Sequence, residues 1–143
     1  MKECTGELIK VMYMDDYFAH KDSLKLIVEA IKGKDWLVSG CIHDYGDGIM
    51  QSPHFPSTHG IEDNVNTIGS PSVMTIRNGL GIYFDESMTW LLDVDVYKRL
   101  LSKCGEPVIL DDINVVIGVG EHQTTNLLSE EIKNAEFNYL KNK

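Results

Sequence analysis

The chain has 143 residues, a mass of 16.1 kDa and a formal charge of −9 from 13 basic and 22 acidic residues. At 43% hydrophobic and 24% charged it is composed as a single soluble globular domain, residues 1–143, too apolar to be disordered and long enough to bury a core. The acidic balance argues against a nucleic-acid binder working through a broad basic face and against docking on an anionic membrane, and no apolar run nears the roughly 18 residues of a bilayer span.

The first six residues carry no apolar stretch of signal-peptide type. Cys4, Cys41 and Cys104 lie far apart with no C-x-x-C pair, which suits a reducing compartment, so the expected location is cytoplasmic. Residues 7–14 form a short apolar run that stops at Asp15-Asp16, expected to be a buried, central strand ending in an acidic turn with both carboxylates facing a cleft. Leu24, Ile27, Val28 and Ile31 follow helical spacing, with Asp22 or Ser23 able to cap the start and Gly33 closing the end. Residues 36–42 read as a second strand.

Between His43 and about Gly69 the pattern dissolves into Pro, Gly, Ser, Asn, Asp and His, which predicts a long functional loop, mobile and with little regular structure. Residues 71–76 resume as a short strand before an Asn78-Gly79 turn. A helix is expected over residues 93–101, where Val96 and Leu100, and Val94, Tyr97 and Leu101, recur at helical spacing. Residues 108–110 and 113–119 are β-rich, and a last helix from about Ser129 is expected to bury Leu128, Ile132, Ala135 and Tyr139. Strands alternating with helices predict an α/β fold with a parallel or mixed sheet.

Three sites follow strands. Asp15-Asp16 offers the hard oxygen donors that Mg²⁺ or Mn²⁺ takes together with substrate phosphates, at a strand end where α/β sheets gather ligands; a solvated turn is the alternative. Asp93, where a helix begins, is either a first-turn acid favoured by the helix dipole or a general base whose pKa is raised by apolar Trp90 and Leu92. His122, in Gly118-Val119-Gly120-Glu121-His122, is a surface histidine or a ligand. His20, His43, His54 and His59 share no helical zinc spacing, and no P-loop, G-x-G-x-x-G or nucleophile elbow is present.

Taken in order, these segments resemble the later part of a family 2 glycosyltransferase of the GT-A type, over roughly residues 5 to 125. Thr5-Gly6-Glu7-Leu8-Ile9-Lys10 is similar to that family's lead into its central strand, and Met14-Asp15-Asp16-Tyr17-Phe18 to its Asp-x-Asp metal motif in adjacent-Asp form. Gly69-Ser70-Pro71-Ser72-Val73 through Arg77-Asn78 is similar to the segment before the acceptor-side strand. Phe84-Asp85-Glu86-Ser87-Met88-Thr89-Trp90-Leu91-Leu92-Asp93 resembles the Phe-Asp-Glu…Glu-Asp stretch that ends in the catalytic base, with Leu92 in place of the first acid of the closing pair.

The resemblance implies a partial GT-A fold, a mixed sheet flanked by helices, lacking the N-terminal βαβ units that hold the nucleotide base. It implies metal-dependent inverting transfer from a nucleotide-diphospho-sugar to a glycan or other hydroxyl acceptor. Asp16, beside Asp15, would hold Mn²⁺ or Mg²⁺ against the diphosphate. Asp93 would be the base, His122 a further metal or donor contact, and Trp90 an acceptor-side stacking surface or a half-buried core residue. A half fold also implies association, as a homo-oligomer or with a complementing N-terminal half. Two other readings stand beside it: a metal-dependent phosphoesterase using Asp15, Asp16 and His43-Asp44, and a non-catalytic remnant that oligomerises.

Overall fold

The computed structural model describes residues 1–143 apart from Asp47 and His122. Its strands are β1 (Leu8–Lys10), β2 (Tyr17–Phe18), β3 (Trp36–Asp44), β4 (Met50–His54), β5 (Met74–Arg77) and β6 (Val108–Gly118). The helices are α1 (Ser23–Ala30), α2 (Leu92–Cys104), α3 (Thr124–Leu127) and α4 (Glu130–Lys141), with 3-10 turns at Ile61–Asp63 and Pro71–Val73. The sheet runs β1-β5-β3-β6-β2, with β4 also paired to β3. β3 and β6 are parallel and the remaining pairs antiparallel, so the fold is α/β with a mixed sheet flanked by helices. No helix among the described residues is long and apolar enough to cross a membrane.

Alternation along β3 sorts the core. Trp36 and Val38 pack with Val96, Tyr97 and Leu100 of α2, while Leu37 between them packs with Ile27 and Ile31 of α1. Successive strand residues point to opposite faces, so α2 covers one face of the sheet and α1 the other. Trp36 is the hinge-pin of the α2 side: its indole N–H donates to the Gly105 carbonyl at 2.8 Å and its ring stacks on Tyr97 at 6.4 Å. β6 carries extra residues against β3 on either side of Gly40. A Cβ at Gly40 would lie 2.8 Å from the Asp112 carbonyl oxygen and 3.0 Å from the Phe55 ring, so the bulge needs glycine there.

Several expectations are corrected. The strand expected over residues 7–14 shrinks to Leu8–Lys10 and lies at an edge of the sheet, not its centre. Val11 still donates to the Met74 carbonyl of β5 at 3.4 Å, but beyond it Ser72, in the neighbouring 3-10 turn, takes the Tyr13 N–H at 2.9 Å. The α1 stripe is narrower than its spacing suggests: Ile27 and Ile31 are buried, whereas Leu24 and Val28 are half exposed. Asp22 makes no side-chain cap. The helix carrying Asp93 begins one residue earlier, at Leu92.

The stretch 43–69 is largely irregular, as expected, but it carries more order than its composition suggests. β3 continues through Asp44, and β4 returns antiparallel along it. Pro53 is tolerated in β4 because the register shifts between Cys41 and His43, where Ser52 adopts φ +52°: at a bulge no ladder N–H is required. Beyond it Ile61 and Ile68 are fully buried in the main core. The Tyr97 hydroxyl donates to the Gly69 carbonyl at 3.0 Å and Lys98 Nζ to Asn64 Oδ1 at 2.9 Å, so α2 fastens the segment along its length. The anchors arrive singly, without a period, so no repeating pattern marks them.

α4 docks on a different face from the one expected. Glu136 and Leu140 are buried, while Ile132 and Tyr139 are 44% and 47% exposed, and Ala135 is exposed too. Leu140 packs with Met88, Leu91 and Val94. The helix is turned this way because Glu136 finds three backbone donors, described below, and a buried carboxylate without them would be strongly disfavoured.

Candidate functional site

A cleft of about 380 Å³ opens where the ends of β3 and β6 face the start of α2. One wall is sheet: Asp15, Asp16, His43, Ile117 and Gly118. The other is helix and loop: Asn66, Ser70, Thr89, Trp90, Leu92 and Asp93. The acids at positions 15–16 and the acid at position 93 therefore meet in one cavity, although widely separated in the chain.

On the sheet wall, Asp16 is buried, with Oδ1 accepting from the Gly118 N–H at 3.0 Å and Oδ2 near the Ser70 hydroxyl at 3.5 Å. The 15–16 turn lies directly on the end of β6. A Cβ at Gly118 would stand 2.6 Å from the Asp15 carbonyl oxygen and 3.0 Å from its Cβ, so this approach exists only because residue 118 is glycine. Behind the turn, Lys10 Nζ donates to the carbonyls of Ser72 and Met74, and burial lowers its pKa to about 8 against the upward pull of Asp16. The Tyr13 phenol is pushed up to about 12 by burial and by the negative charges of Asp93 and Asp16.

On the helix wall, Asp93 Oδ1 accepts from the Val94 N–H at 2.7 Å and Oδ2 from the Asn66 amide at 2.7 Å. Burial pushes its pKa up to about 6, with Glu136 adding to the rise and the backbone hydrogen bonds opposing it. The first-turn acid and the cleft-facing acid are thus the same group: the helix start holds the carboxylate, and the cavity desolvates it. A carboxyl that titrates near neutrality can take a proton from a hydroxyl more effectively than one of ordinary pKa. Trp90 lines the cleft half-buried, its ring 5.9 Å from Lys133 Nζ.

His122 lies outside the described residues; Gln123, Thr124 and Thr125 beyond it line the cleft. The His43-Asp44 pair is split by strand alternation. His43 lines the cleft with Nδ1 2.8 Å from the Ser52 carbonyl, while Asp44 accepts from the Tyr17 hydroxyl at 2.9 Å and the Gly46 N–H at 2.8 Å. Of the residues of the phosphoesterase reading, Asp15, Asp16 and His43 line the cleft and Asp44 does not.

Among the described residues no three His, Cys, Asp or Glu side chains converge as a metal cage. Asp15 and Asp16 on the sheet wall and Ser70 across from them offer hard oxygens, and His43 adds an imidazole to the same cleft. The oxygens of that set fit Mg²⁺ or Mn²⁺ completed by phosphate oxygens and water.

Asn66, Ser70, Gly118 and Glu136 escape a sequence reading. Asn66 sits in a loop without periodicity, and Glu136 looks like any acid on an amphipathic helix. Gly118 gives the one usable hint, a glycine ending a β-rich run. No protein-family model matches this chain, and no curated protein matches it.

Proposed function

We propose that this chain carries the diphosphate-binding and acceptor-side part of a metal-dependent glycosyltransferase, similar to family 2 and built on part of a GT-A fold. The observation that supports it most is the meeting of a paired-carboxylate turn and a desolvated carboxylate across one cleft. On this reading Asp15 and Asp16 hold Mn²⁺ or Mg²⁺, which supplies charge neutralisation to the departing diphosphate. Asp93 takes the proton of the acceptor hydroxyl as its oxygen bonds to the anomeric carbon and the bond from that carbon to the diphosphate breaks. Asn66 holds Asp93 Oδ2 toward the cavity, and Trp90 offers its ring to a sugar face.

The test is a melting curve with Mn²⁺ and a nucleoside diphosphate, using uridine and guanosine diphosphates in turn. A ligand that binds only the folded chain stabilises it by about 2.7 kcal/mol at a hundredfold excess over Kd. The rise in Tm should need both Mn²⁺ and diphosphate, vanish in Asp16→Asn and survive in Asp93→Asn. No rise with either nucleotide, or an undiminished rise in Asp16→Asn, contradicts the proposal.

A further inference from the structure

The N-terminus of α2 has no cap of its own. Leu91 occupies the capping position and offers no side-chain acceptor. Instead the Glu136 carboxylate, reaching across from α4, accepts from the Thr89 N–H at 2.7 Å, the Trp90 N–H at 2.9 Å and the Leu91 N–H at 3.0 Å. Three consecutive charge-assisted bonds to one buried carboxylate fix the backbone just before Asp93. A second tie lies further along the same helix pair: Lys143 Nζ is 2.7 Å from Asp85 and 2.8 Å from Asp95, which is itself only 2% exposed. Glu136 of α4 and Lys143, two residues beyond its end, therefore hold the polypeptide on both sides of Asp93.

We infer that Glu136 is a positioning residue for Asp93, capping α2 from another helix so that the Asp93 carboxylate is held in the cleft and stays desolvated. The word positioning rests on the reading of Asp93 as the base; the coupling between the two carboxylates does not. An ordinary cap at position 91, such as Ser or Asp, would accept from N–H groups inside the first turn, at 93 or 94, and would leave those of residues 89–91 to other partners. The arrangement seen here makes the C-terminal helix part of the cleft.

The titratable groups around Asp93 include His43, which lines the same cavity from β3. Glu136 faces it from α4, Tyr13 from the segment after β1 and Tyr97 from α2 itself, while Asp15 and Asp16 share the cavity. Burial drives both tyrosines upward, so neither changes charge while Asp93 titrates. Removing the charge of Glu136 should therefore read out directly on Asp93.

The experiment follows the Asp93 side-chain carbonyl by carbon-13 NMR from pH 3 to 8 in the whole chain, in wild type, Glu136→Gln and Ser129→Ala. Ser129 caps α4 through the Ile132 N–H at 3.4 Å and touches none of residues 89–91, so its loss weakens the same helix without touching the clamp. Glu136→Gln should lower the Asp93 midpoint, and Ser129→Ala should lower the melting temperature while leaving that midpoint in place. An unchanged midpoint in Glu136→Gln, or an equal fall in Ser129→Ala, overturns the inference. Should Glu136→Gln not fold, amide exchange in the wild type decides: slow exchange at Thr89, Trp90 and Leu91 supports the clamp, and fast exchange at all three overturns it. None of these readouts involves Mn²⁺ or nucleotide, so they can fail while the proposed function stands, and the reverse.

Discussion

The two walls of the cleft are held by different means. The sheet wall is backbone: Asp16 is bound by the end of β6, and the turn presses on Gly118 so closely that a methyl group does not fit. The helix wall is side chain: Asp93 depends on Asn66 from a long connection and, through residues 89–91, on Glu136. A wall made of ladder contacts resists distant changes, whereas one tied by a helix and a loop transmits them. Substitutions of Glu136 or of Asn66 should accordingly reach Asp93 and spare Asp16.

The largest expected effect is Ile68→Ala. Ile68 is fully buried two residues from Asn66, so truncation should cost about 2–5 kcal/mol in denaturant unfolding, as for a strand residue. A cost below about 0.5 kcal/mol, the range of surface positions, would show the segment to be loose after all. Gly118→Ala comes next, at about 1–3 kcal/mol from overpacking against Asp15. Its amide shift changes should centre on residues 15–17 and leave the Asp93 titration alone; a disturbed Asp93 would mean the walls are coupled.

A pH series sharpens the contrast. Asp93 has an ordinary value of 3.8 and a folded value of about 6, so the folded chain holds that proton more tightly than the unfolded one. Its contribution to stability is full below pH 3.8 and is lost as pH rises through about 6. Asp93→Asn should gain stability relative to wild type across that window, and a difference that is flat from pH 4 to 7 would contradict the burial argument.

The smallest effect runs the other way. Ser39 Oγ, Thr75 Oγ1 and Asn114 Oδ1 are buried without hydrogen-bond partners among the described residues. Thr75→Val replaces an unsatisfied hydroxyl by a methyl of similar shape and should stabilise by roughly 1 kcal/mol, since an unpaired buried hydroxyl carries a desolvation penalty of about that size. It lies away from both walls, so the Asp93 midpoint should not move.

How much of this was legible beforehand follows from what each residue needs. β3, α2 and β6 announce themselves through runs of Val, Ile and Leu, because burial on a repeating element leaves a repeating trace. Asp15, Asp16 and Asp93 stand out as acids beside apolar runs. α4 misled because Ile132 and Tyr139 make the better apolar stripe, yet a single buried acid, Glu136, sets the docked face. The ordered parts of the 43–69 stretch left no trace because Ile61 and Ile68 are isolated anchors, and β4 contains a proline that a bulge absorbs. Long-range hydrogen bonds from one side chain leave no periodicity, so no local pattern could have supplied them.

The central claim is that the sheet wall holds a divalent cation against a diphosphate. Paramagnetic broadening tests it most directly: amide spectra of the wild-type chain with substoichiometric Mn²⁺ and excess uridine diphosphate, then guanosine diphosphate, against a Mg²⁺ reference. The account predicts that broadening centres on Asp15, Asp16 and Gly118, weakens toward Asp93 and disappears in Asp16→Asn. Broadening absent with both nucleotides, or centred instead on the acids Asp85 and Glu86, would contradict it.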